Sequence, residues 1–125
     1  MREEVRNSWE QAQEDLKTAE VLLETRRYYA CVFFSQQAAE KALKALYIQV
    51  KRELPMTHNI VELSQNLKAP SEVVEASQEL NPDYMTTRYP NAANGIPARM
   101  YSEKSAKMHL GCANIVMEWV KRLLR

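Results

Sequence analysis

The chain has 125 residues, 46% of them hydrophobic and 26% charged, and its 17 Lys and Arg against 16 Asp and Glu leave a net charge of +1. That length suits one ordinary domain over residues 1–125. The near-neutral balance supplies no general attraction to nucleic acid or to an anionic membrane and leaves only the option of a local patch. Only two glycines occur, where average usage gives about nine, which argues against glycine-rich phosphate loops and turn-rich sandwiches.

Cys31 and Cys112 stand in apolar stretches without C-x-x-C spacing. A disulfide framework or zinc knuckle is therefore not expected, and a reducing, cytoplasmic setting is the simpler reading. Residues 1–6 lack the apolar run of a signal peptide. The apolar-rich stretch 38–50 is broken by Glu40, Lys41 and Lys44, so no membrane association is expected.

Val5, Trp9, Ala12, Leu16, Ala19 and Leu23 recur at alternating spacings of four and three. They draw one apolar stripe on a helix over residues 3–26, a rod of roughly 35 Å, with Arg26 and Arg27 at the negative end of its dipole. A second helix is predicted over 28–51. Small residues Cys31, Ala38, Ala39, Ala42 and Ala45 make one broad face that lets a neighbouring helix approach closely. The opposite arc carries Gln36, Gln37, Glu40, Lys41 and Lys44, interleaved with Phe33, Phe34, Tyr47 and Ile48. Four large apolar groups do not belong on a plain solvent face, so this arc is expected to meet something.

Thr57 and Asn59 are candidate caps for a short third helix on Ile60, Leu63 and Leu67. Another short helix runs from Ser71 to about Leu80. Residues 81–101 hold Pro82, Pro90, Pro97 and Gly95 and no sustained periodicity, a connection long enough to be functional or disordered. A last helix starts at Ser102 and Glu103 and carries Ala106, His109, Ala113, Val116, Val120 and Leu123 on one face. The fold class is all-α: an antiparallel up-and-down bundle of four main helices plus a short one.

Several groups carry potential chemistry. Gln37, Glu40 and Lys44 form a polar row at helical spacing, either an i,i+4 ion pair on a solvated face or a face for a partner subunit or an anionic ligand. In Asn81-Pro82-Asp83-Tyr84-Met85-Thr86-Thr87-Arg88-Tyr89-Pro90-Asn91, Arg88 is placed to clamp a phosphate and Tyr84 or Tyr89 to stack on a base. The alternative is a surface loop whose tyrosines pack on the bundle. His58, at a helix start, either assists the cap or works as an acid or base near neutrality. His109 lies on the apolar stripe of the last helix and reads as a core or interface histidine. Two isolated histidines show no metal-ligand spacing, so no metal and no cofactor are implied. No G-x-S-x-G is present to support a hydrolase triad.

Three runs together resemble a known family. Ala30-Cys31-Val32-Phe33-Phe34-Ser35-Gln36-Gln37-Ala38-Ala39-Glu40-Lys41-Ala42-Leu43-Lys44-Ala45, then Thr57-His58-Asn59-Ile60-Val61-Glu62-Leu63, then Thr87-Arg88-Tyr89-Pro90-Asn91 are similar, in that order, to the hallmarks of HEPN domains. The resemblance covers nearly the whole chain. It implies a helical bundle that forms homodimers, and a small prokaryotic member encoded beside a minimal nucleotidyltransferase as a two-component toxin–antitoxin system. It also implies, for many members, a metal-independent endoribonuclease with an R-x(4–6)-H motif. Here no histidine follows Arg88 at that spacing and no arginine precedes His109 at it. Arg52-x5-His58 matches the spacing, but in the turn after the second helix.

Two functions follow as expectations. The first is a dimeric module that binds a nucleotide, an RNA or a nucleotidyltransferase partner through Arg88, Tyr84, Tyr89, Asn91, Gln37, Glu40 and Lys44. The second is a ribonuclease toxin with His58 as acid and base and Arg88 or Arg52 as phosphate clamp.

Overall fold

The computed structural model describes residues 2–125. In chain order it contains α1 (Glu3–Glu24), α2 (Tyr28–Lys51), α3 (Ile60–Asn66), α4 (Ser71–Leu80), α5 (Asp83–Thr86), α6 (Pro90–Ala93), a 3-10 turn (Pro97–Arg99) and α7 (Glu103–Leu123). No strand occurs among the described residues. None of these helices is long and apolar enough to cross a membrane.

α2 is the central rod, with α1 and α7 beside it. Its small residues do what their size permits: Ala38, Ala39, Ala42 and Ala45 are fully buried, as are Ala12 and Ala19 of α1. Val5 packs with Ala45 and Ile48, and Ala19 with Cys31 and Val32, so α1 runs antiparallel to α2. Ser8 closes the seam by donating to the Lys41 carbonyl at 2.8 Å. Lys41 itself turns to Asp15, buried on α1, at 2.5 Å. The main core gathers Leu43, Leu46, Ile60, Leu63, Leu80, Val116 and Val120 from α2, α3, α4 and α7. α1, α2, α4 and α7 are thus the four main helices and α3 the short one.

The large residues of the α2 arc meet other parts of this same chain. Phe34 joins the cluster of Cys31, Val32, Ala106 and Leu110. Ile48 packs with Val5, Tyr47 lies against the main core, and Phe33 sits under Arg88.

Local signals place the helix ends. Asn59 accepts from the Val61 and Glu62 amides at 3.0 and 3.1 Å, capping α3, while the Thr57 hydroxyl accepts from the Asn59 amide. Asn81 Oδ1 takes the Ile60 amide at 3.1 Å and so ties the start of α3 to the end of α4. Ser102 and Ser105 form a reciprocal capping box at α7. Two ends differ from expectation. α1 stops at Glu24, with Arg26 in the left-handed region at φ 62°, so the Arg26–Arg27 pair lies beyond the helix. Residues 81–101 hold two single helical turns and a 3-10 turn, each too short to leave a periodic apolar signal.

Candidate functional site

Glu40, in the middle of α2, is only 5% exposed, and both its oxygens are taken. Gln36 Nε2 donates to Oε1 at 3.1 Å. Lys44 Nζ donates to Oε2 at 2.8 Å, and His58 Nδ1 lies 2.8 Å from the same atom. Gln37 Nε2 extends the chain by donating to Gln36 Oε1 at 2.7 Å. Burial alone pushes the Glu40 carboxyl up. The hydrogen bond from Lys44, those from His58 and Gln36, and the Lys44 charge outweigh it and hold the group below its ordinary 4.5.

A carboxylate oxygen can only accept, so His58 Nδ1 carries the donated proton and Nε2 is left at the outer edge of the ring. The His58 side chain is 57% exposed. Its ring stacks on Tyr84 with centroids 4.6 Å apart and planes 22° from parallel. The Arg88 guanidinium lies 4.1 Å from the Tyr84 ring centroid and 4.6 Å from that of Phe33. Its Nη1 donates to the Tyr84 carbonyl at 2.5 Å. The result is a column of His58, Tyr84, Arg88 and Phe33, seated beside the Glu40–Lys44 pair. Planar cation and ring faces attract in this arrangement.

A second polar cluster joins the start of α5 to α7. Asp83, first residue of α5, is 5% exposed and His109 of α7 is 8% exposed. His109 Nε2 is 3.0 Å from Asp83 Oδ2, and Tyr101 donates its hydroxyl to Asp83 Oδ1 at 2.9 Å. The Thr86 hydroxyl is 2.7 Å from that of Tyr101. Burial first, and then the Asp83 carboxylate, push the Tyr101 phenol up to about 12 against the opposing contact with Thr86. It therefore stays a donor at neutral pH.

Of the residues expected to bind or react, Gln37, Glu40, Lys44, His58, Tyr84 and Arg88 come together. Tyr89 is 47% exposed and Asn91 is exposed at the start of α6; neither side chain hydrogen-bonds to this group among the described residues. Arg52 is elsewhere. It caps α2 with φ 58°, about 18 Å along the helix axis from Glu40. There it lines a groove of about 550 Å³ with Arg2, Val5, Gln49 and Arg125. Lys41, of the same polar arc, is drawn to Asp15 instead. Gln36, Asp83 and Tyr101 belong to the two polar groups, yet only Gln36 had any sequence signal, as a member of the α2 polar arc. Among the described residues no three His, Cys, Asp or Glu side chains converge as a metal-holding group.

Comparison with known proteins agrees with this architecture. A Methanocaldococcus jannaschii protein named Putative toxin MJ1304 is 29% identical over 128 residues, covering 91% of this chain and 84% of that protein. The crystal structure of TT1696 from Thermus thermophilus has a TM-score of 0.89 at 32% identity, over 98% of this chain and 100% of that one. The crystal structure of ST0689, an archaeal HEPN homologue, has a TM-score of 0.84 at 31% identity with both chains covered in full, 100% each. The family model of the HEPN domain matches residues 5–123, which include every helix core and the whole Glu40–His58–Arg88 group, and the chain belongs to the HEPN domain family.

Proposed function

We propose that this chain is a dimeric HEPN module that binds a phosphate-bearing ligand, a nucleotide or an RNA, on the face formed by Gln37, Glu40, Lys44, His58, Tyr84 and Arg88. In this reading it is one half of a toxin–antitoxin-type pair whose other half is a minimal nucleotidyltransferase. The observation that carries the binding is a charge imbalance. Lys44 and Arg88 bring two cations to a face with one carboxylate, Glu40, whose two oxygens are already occupied. Surplus positive charge beside the exposed His58 ring suits an anion attached to a ring. The paired role is supported by membership of the HEPN family together with the toxin name of the M. jannaschii relative.

The test is titration of a labelled oligoribonucleotide and of ADP into wild type and Arg88→Ala, with oligomeric state read by light scattering on the same samples. Loss of a charge-assisted contact lowers affinity by about tenfold to a hundredfold. Unchanged affinity for both probes removes Arg88 from the site, and a monomeric wild type removes the dimer.

A second reading is favoured by the Glu40–His58 pair. A carboxylate on Nδ1 orients the ring and leaves Nε2 outward, the arrangement of a general acid and base. In that reading the protein is a metal-independent endoribonuclease, with His58 moving the proton and Arg88, rather than the distant Arg52, holding the phosphate. Cleavage of labelled RNA in EDTA, reduced by about 10²–10⁴ in His58→Ala, supports it. Cleavage that survives the substitution sinks it.

A further inference from the structure

We infer that the buried His109–Asp83 pair positions the Tyr84–Arg88 arm, so that ligand capture at the Lys44–His58–Arg88 face weakens when His109 gives up its proton. The ligand half of this statement rests on the binding reading above; the positioning half does not.

α5 is a single turn, Asp83–Thr86, and one turn of helix does not hold itself together. Besides its packing on α2 and α6, Asp83 ties it down. Its Oδ1 accepts from Tyr101 at 2.9 Å, its Oδ2 faces His109 Nε2 at 3.0 Å, and its carbonyl takes the Thr87 hydroxyl at 2.6 Å. The next residue, Tyr84, is the ring that stacks on His58, and Arg88 follows at i+4 from Tyr84 with its guanidinium on the Tyr84 face and carbonyl. A displacement of Asp83 is therefore passed directly to both binding side chains.

His109 meets acceptors on both sides. Nδ1 is 2.6 Å from the Ser105 carbonyl, which cannot donate, and Nε2 faces the Asp83 carboxylate. Nδ1 therefore carries a proton, while Nε2 and Asp83 Oδ2 are at ion-pair distance without hydrogen-bond alignment, Oδ2 having no hydrogen-bond partner, so the contact is attractive when the ring is charged. The titratable and charged groups around it are Asp83 from α5, Glu79 from α4, Tyr101 packed edge-on at 6.1 Å, and Cys112 one turn further along α7. Burial works against the cation. The close contact with Asp83, the Ser105 carbonyl and the charges of Asp83 and Glu79 outweigh burial and raise His109 above its ordinary 6.5. Once neutral, the ring leaves Asp83 as a buried carboxylate with one cation fewer, and α5 loses its charged contact with α7.

The experiment is amide hydrogen exchange on the full chain, wild type against His109→Gln and Tyr101→Phe. The phenylalanine variant keeps the ring packing and removes only the hydroxyl that bridges Thr86 and Asp83. The expected result is exchange about tenfold faster at the amides of residues 86–89 in both variants, with α1 and α2 unchanged. In wild type the same amides loosen as pH rises beyond the intrinsic trend, and in His109→Gln they show no added pH response. Unaltered exchange at 86–89 in both variants overturns the positioning. ADP titrated at pH 6 and pH 9 reads the ligand half: affinity falling about tenfold more in wild type than in His109→Gln upholds it, and equal pH dependence in both overturns it. ADP that fails to bind wild type at either pH overturns the binding reading and the ligand half together, while the exchange result still decides the positioning.

Discussion

Glu40 and His58 stand 18 residues apart in the chain, and their side chains meet with Glu40 Oε2 2.8 Å from His58 Nδ1. This pair fastens the irregular segment after α2 back onto the middle of that helix. It also sets the histidine ring at the angle that lets Tyr84 stack on it. A nearly buried carboxylate thus supports both a loop and the aromatic column above it.

Glu40→Gln keeps the shape and removes the charge. Lys44 and His58 then share a neutral amide that also offers them an unwanted N–H donor. Stability is expected to fall by about 1–3 kcal/mol, less than for a fully enclosed pair because Lys44 can turn toward water. Urea unfolding measures this; a change within a few tenths of a kcal/mol means that the pair adds nothing to the fold.

The same carboxylate sets an acid limit. Its folded value lies below the ordinary 4.5, so the stability it contributes is present above about 4.5 and is lost as pH falls through the lower folded value. Melting temperatures taken from pH 6 downward are expected to drop more steeply in wild type than in Glu40→Gln. Parallel curves rule out Glu40 as a source of the acid sensitivity.

Much of this was legible in the sequence for a physical reason: long helices repeat. Val5 to Leu23, and Ala106 to Leu123, mark their faces several times over, and Asn59 and Ser102 cap where capping residues belong. The row Gln37, Glu40 and Lys44 was visible because helical spacing places those residues on one side. What remained hidden depends on contacts between distant parts of the chain. His58 shows no partner within its own turn, since its partner lies on α2. Asp83 looks like a turn residue, and only the fold brings it against His109, 26 positions later. Arg52 and His58 match a motif spacing, yet Arg52 caps α2 at the bundle end while His58 doubles back toward Glu40.

Arg88 works through its plane as well as its charge. Between Tyr84 and Phe33, a flat guanidinium covers both rings, which an ammonium on a flexible stem does not. Arg88→Lys is therefore expected to destabilise the protein by about 0.5–2 kcal/mol although the charge is conserved. Thermal unfolding of the variant decides it. A fully stable Arg88→Lys protein means that the stack contributes no more than a point charge.

At alkaline pH the sign reverses. His109 is raised above 6.5 in the folded chain, so its contribution is fully present below about 6.5 and is lost as pH rises through the folded value. Wild-type stability is expected to decline above neutrality in a way that His109→Gln does not share. Urea midpoints between pH 6 and 9 provide the comparison, and an equal decline in both proteins assigns the loss to other groups.

Gly111 offers a gain rather than a loss. It lies exposed in the interior of α7, and a Cβ built there meets nothing within 4 Å. No turn, close approach or left-handed backbone requires glycine at this position, while the unfolded chain keeps the entropy that glycine allows. Gly111→Ala should raise stability by about 0.5–1 kcal/mol with the site untouched. A destabilised Gly111→Ala monomer would show that α7 bends or opens here. Destabilisation seen only where the protein self-associates would instead place this face of α7 against a second subunit, because a methyl group that is free in one chain is obstructed only by another.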